Sequence, residues 1–163
     1  MKTSSLIGSV VAAGLLFGLA APVFAQAPQS ATTNMEILAQ KLKADKKLLV
    51  AQTVGLTDAE GTAFWPIYDA YQAELAKING RLKAGIDAYA KDYNANTMTD
   101  AKASALITEM VAIEEALVGL KKTYAAKLNG VIPATKIARY IQVENKVRAL
   151  VNYELAAGIP FVK

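Results

Sequence analysis

Three charged residues stand where apolar side chains are expected, and chemistry would be sought there first. At about 100° per residue, the apolar side of the segment after Pro133 carries Ile137, Tyr140, Val147, Val151 and Leu155. Glu144 and Arg148 fall in the middle of that side, four residues apart. Asp45 interrupts Leu38, Leu42 and Leu49 in the same way. A lone buried charge is costly, whereas a paired one is tolerated. Glu144 is therefore expected to pair with Arg148, and Asp45 to reach Arg148 where the terminal helices pack. That polar network would fix helix register. The chemical alternatives are a pair of carboxylates working as acid and base, or a weak oxygen site for Ca²⁺ or Mg²⁺.

Composition argues against the chemical alternatives. The 163 residues include no Cys and no His, which removes the thiol nucleophile, the imidazole base, the usual zinc ligands and haem attachment through cysteine. Beyond the first 25 residues the serines are Ser30 and Ser104, neither in a nucleophile motif. No nucleotide-binding motif is present, and Tyr or Met alone makes a poor haem ligand set. The expectation is a protein that is not an enzyme, with no catalytic, metal or cofactor-binding residue and no cofactor.

The first 25 residues read as an address. Lys2 gives a positive start, an apolar run extends from Leu6 to Ala20, and Val23 and Ala25 suit a secretory cleavage site before Gln26. The alternative is a retained anchor, since Leu6 to Ala25 is just long enough to span a bilayer. Gly8, Gly14, Gly18 and Pro22 dilute that run. Residues 1–25 are thus read as a cleaved signal, 26–32 as a disordered leader, and 33–160 as one helical domain. Removing the signal leaves 17 basic against 14 acidic side chains. Export argues against nucleic acid as the partner, and export without cysteine suggests a periplasm.

The elements that must position these residues are helices. Thr33, Thr57 and Thr99 read as helix caps, with Glu36 and Glu60 completing capping boxes for the first two. The first helix stops at Gly55. In the second, Phe64, Tyr68, Tyr71, Leu75, Ile78, Leu82, Ile86, Tyr89 and Tyr93 form a seam with one stutter after Leu82. Pro66 predicts a bend near Thr62. Leu106, Met110, Ile113, Leu117, Leu120, Tyr124 and Leu128 form the third seam. Pro133 fits the first turn of the fourth helix, which runs to about Ala157 and ends at Gly158 and Pro160. Two long seams joined by a short turn predict an antiparallel hairpin. The fold class is all-α, four helices around a long central antiparallel hairpin, in a cradle-like dimer.

Surface contacts are sought in Trp65, which lies about 100° off its seam. It covers the fourth helix or meets another protein. The lysine pairs Lys46-Lys47 and Lys121-Lys122 read as solvated faces, able also to attract acidic partners.

The motifs Leu56-Thr57-Asp58-Ala59-Glu60 and Met98-Thr99-Asp100-Ala101-Lys102, with the export signal and four-helix plan, resemble the Spy/CpxP family of periplasmic helical proteins. That family's signature is LTxxQ, usually twice. Here Glu60 replaces the Gln of the first copy, and the second departs at Met98 and Lys102. The resemblance covers roughly Met35 to Pro160 and implies an ATP-independent chaperone or an envelope-stress regulator of a membrane sensor kinase. Its partners would be unfolded or envelope proteins, with no nucleic acid and no membrane contact except through a sensor. Relatives that sense nickel or cobalt use His, which this chain lacks. A purely structural bundle is the plain alternative.

Overall fold

The computed structural model describes residues 46–163. They fold into four helices, α1 (residues 46–54), α2 (Asp58–Ala95), α3 (Asp100–Leu128) and α4 (Ala134–Gly158). No strand forms among the described residues. Asn129 and Ile132 make an isolated bridge in the turn before α4. The fold is all-α. The signal, the leader, Thr33 and Asp45 lie outside the described residues.

The helix ends follow from local chemistry. Gly55 takes φ +68°, a left-handed turn that ends α1. Thr57 caps α2 in a full capping box. Its hydroxyl accepts from Glu60 N, and Glu60 Oε2 accepts from Thr57 N at 2.7 Å. Thr99 caps α3 by accepting from Lys102 N at 3.3 Å, and Lys102 in place of Glu leaves that box half made. Pro133 stands just before α4 rather than within its first turn, and its carbonyl accepts from Ile137 N. Helix α2 continues through Pro66.

The α2 seam is the spine of the core. Phe64, Tyr68, Tyr71, Leu75, Leu82, Ile86 and Tyr89 are buried, together with Ile113, Leu117, Tyr124 and Leu128 of α3. Met110, expected in the α3 seam, is 41% exposed. In α1 the buried positions are Val50 and Val54, while Leu49 is exposed, so the inward face lies one residue on from the expected stripe. Residues 46, 50 and 54 repeat at steps of four and share that face.

Cross-helix contacts set the order of packing. Along α2 from Tyr71 through Arg81 to Asp92, the α3 partners run backwards from Tyr124 through Glu109 to Lys102. Along α2 from Glu60 through Gln72 and Asn79 to Tyr89, the partners on and beyond α4 run forwards, Lys136, Glu144, Arg148 and Pro160. Helix α4 therefore follows α2 in the same sense. Helix α3 meets α2 along much of its length and α4 over a shorter stretch.

Candidate functional site

The buried polar centre is a closed triangle. Lys46 Nζ donates to Glu144 Oε2 at 2.6 Å and to Gln72 Oε1 at 3.0 Å, and Gln72 Nε2 donates to Glu144 Oε1 at 2.9 Å. Lys46 and Glu144 are both buried. Each charge meets its opposite, and the amide satisfies both, as a buried ion pair requires. Three helices contribute one residue each, so the triangle ties α1 and α4 to α2.

Tyrosines wall this centre. Tyr140 packs edge-on to Phe64 at 5.3 Å and to Tyr71 at 5.9 Å, and Tyr71 meets Tyr124 at 5.4 Å, the arrangement that aromatic quadrupoles favour. Burial raises the pKa of Tyr140 and Tyr71, and the negative charge of Glu144 adds to it. For Tyr68 the same causes push the pKa up to about 12. The Tyr140 hydroxyl has no hydrogen-bond partner among the described residues. These phenols are held neutral, which makes them wall material rather than bases at ordinary pH.

The expected Glu144–Arg148 pair is not formed. Glu144 spends both oxygens on Lys46 and Gln72, while Arg148 Nη2 donates to Asn79 Oδ1 at 3.2 Å. Partial burial pulls the Arg148 guanidinium below its usual pKa. The physical reason for the swap is reach. Lys46 enters from a third helix and fills the slot facing Glu144, so Arg148, one turn on, turns to α2.

Lys46 also corrects the reading of Lys46-Lys47 as a solvated face. Lys47 alone stays at the surface, where it donates to Asp69 at 3.2 Å and lies 5.1 Å from the Trp65 ring centre. Trp65 is half-buried, edge-on to Phe64 and Tyr68. It therefore seats α1 through Lys47. Lys121 donates to Asn145 of α4 at 2.9 Å, and Lys122 is exposed. Thr57 and Thr99 act as caps, as their spacing predicts.

Gln72 and Tyr140 complete the centre, and charge patterning alone did not single them out. The available signal was positional. Gln72 adjoins Tyr71 in the α2 seam, and Tyr140 stands one turn before Glu144.

At the far end of the bundle the chain folds back on α2. Tyr89 Oη donates to Pro160 O at 2.8 Å, and Lys163 Nζ donates to Asn96 Oδ1 at 2.7 Å while lying 4.2 Å from the Tyr93 ring centre. A small open pocket of about 140 Å³ lies there. Asp92, held by Lys102 and Thr97 and lowered in pKa by them, is committed to closing the α2–α3 turn.

Large apolar side chains of α3 and α4 remain on the surface. Arg81 pairs with Glu109 and Asn79 with Arg148, so these stretches of α3 and α4 lie beside the same turn of α2. Next to them, Ile107 is 67% exposed, Leu150 60% and Tyr153 71%. No group of acidic residues able to hold a metal occurs among the described residues, and none of their helices is long and apolar enough to cross a membrane.

Comparison with known proteins adds no relative: no family model, no curated protein and no solved structure matches the chain.

Proposed function

We propose that this chain is an exported, Spy/CpxP-like helical protein of the periplasm that binds other polypeptides without ATP, as a holdase in envelope stress. In this reading α2 and α3 form the antiparallel hairpin of a cradle-like dimer. The observation that carries it is the exposure, among the described residues, of Ile107, Met110, Leu150 and Tyr153, beside a core made of other side chains. Apolar side chains kept in water on a stable scaffold suit weak, reversible contact with unfolded segments. The buried carboxylate, by contrast, is spent on internal bonds. Such binding needs no leaving group, metal or cofactor.

The test is aggregation of a thermally unfolded client followed by light scattering. The wild-type protein should suppress scattering at stoichiometric amounts. Ile107→Ser with Tyr153→Ser should lose that suppression while keeping the wild-type helical spectrum and melting curve. Absence of suppression by the wild type overturns the holdase reading. Crosslinking to a single membrane protein in cells would favour a dedicated sensor regulator instead.

A further inference from the structure

We propose that the C-terminal end of α2 is a binding site for a basic side chain of another polypeptide, and that Lys163 fills it in the free protein. The last turn of α2 contains no basic residue. Nothing within the helix therefore answers the partial negative charge of its closing carbonyls. Asn96 caps the helix in the left-handed conformation, at φ 52°, and its N–H is spent on the Asp92 and Tyr93 carbonyls. Its side-chain oxygen stays available as an acceptor, beside the face of Tyr93.

The Lys163 ammonium uses each of these features. Its Nζ donates to Asn96 Oδ1 at 2.7 Å and to the Tyr93 carbonyl at 3.4 Å, and lies 4.2 Å from the centre of the Tyr93 ring. Two acceptors and an aromatic face gathered round one cation recognise an ammonium or a guanidinium. Asp92 lines the same pocket but is already paired with Lys102. Selectivity for a cation thus rests on carbonyl and amide dipoles and on the ring.

Lys163 is an occupant that can be displaced. Before it, Phe161 is 96% exposed and Val162 55%, so burial does little to hold the segment after α4. One further bond, from Tyr89 Oη to Pro160 O, fastens its base. A segment with few buried apolar contacts opens at low cost. The pocket of about 140 Å³ bounded by Tyr93, Asn96, Met98 and Lys163 gives a second side chain room to approach. The occupant seen is a lysine with two apolar residues before it on an irregular segment, and the partner is a polypeptide stretch of that kind. This site shares no residue with Ile107, Met110, Leu150 and Tyr153, and it goes beyond the holdase reading.

Fluorescence anisotropy tests it with a labelled, amidated peptide copying residues 158–163. Lys163→Ala vacates the site, and Lys163 is exposed, so the fold should be kept. This variant should bind the peptide about tenfold more tightly than the wild type, where the chain's own lysine competes. A peptide with norleucine in place of the lysine should bind the variant about tenfold more weakly, the loss of a cation–π contact and a charged hydrogen bond. Asn96→Gly keeps the left-handed turn and removes the acceptor. Added to Lys163→Ala, it should weaken the peptide without changing the helical spectrum. Absence of binding by Lys163→Ala, equal affinity of that variant and the wild type, or equal binding of the two peptides would each overturn the site. Displacement of the peptide by an equimolar amount of butylamine would overturn a polypeptide as its partner. All of these readings stand apart from the aggregation assay.

Discussion

Lys46 and Glu144 are 98 residues apart in sequence and 2.6 Å apart in space, both buried. Their bond closes the bundle, because it joins a residue at the start of the described chain to one in its last helix. Gln72 from α2 completes the bond from both sides. The triangle behaves as a fastener among three helices.

Glu144→Ala is accordingly expected to destabilise the protein by about 3–5 kcal/mol, since it strands the buried Lys46 ammonium. Replacing both partners, Lys46→Met with Glu144→Leu, should recover most of that loss, because neither desolvated charge remains. Urea unfolding of the three proteins decides the matter. A double variant no more stable than the single one would show that the charges hold something beyond each other.

Arg148→Ala should cost less than Glu144→Ala, because Arg148 makes one bond to Asn79 and is only partly buried. Lys146→Ala on the exposed side should cost less than either. Melting curves of the three variants check the ranking. Equal losses for Glu144→Ala and Arg148→Ala would mean that the two side chains act as one network.

How much of this was legible beforehand depends on distance along the chain. Thr57 with Glu60, and the seam from Phe64 to Tyr89, are decided within one helix, and the spacing that announces them is the spacing that builds them. Glu144 as a buried charge was legible for the same reason. Its partner was not, because choosing Lys46 over Arg148 requires the path of a third helix. The shift of the α1 face from Leu49 to Val50 follows from the same cause, as the short helix is oriented by its docking on Trp65, Tyr68 and Glu144 rather than by its own pattern.

Leu117→Ala is expected to cost about 2–5 kcal/mol, as a buried leucine in a shared core does, while Val118→Ala, at a position 65% exposed, should change stability little. Chemical denaturation of the two variants separates them. Similar losses at both positions would place Val118 in the core.

Alkaline titration should unfold the protein through its tyrosines. A folded pKa raised above the unfolded value means that the native state holds its proton longer, so the unfolded state is the one that ionises first. Stability is then complete below about pH 10 and falls as pH rises, with the Tyr68 share lost between its ordinary 10.0 and about 12. Tyr71 and Tyr140 act in the same direction. Tyrosinate absorbance should show these three of the seven tyrosines appearing together with loss of helix, not before it. Independent, early ionisation of all seven would contradict the buried aromatic centre.

Gly80 and Gly85 stand in the interior of the long α2, and a methyl group added at either would meet nothing within 4 Å beyond its chain neighbours and the nearby backbone of its own helix. Gly55 differs, because its φ of +68° strains any other side chain. Gly80→Ala and Gly85→Ala should therefore each stabilise the protein by about 0.5–1 kcal/mol, since alanine loses less backbone entropy in a helix and no contact opposes it. Gly55→Ala should destabilise it by a similar or larger amount. Thermal melts of the three single variants measure the signs directly. If the two helical glycines are present so that α2 can flex while gripping a client, the stabilised double variant should also suppress aggregation less well than the wild type. Greater stability with unchanged suppression would instead mark those glycines as neutral positions on an exposed helix face.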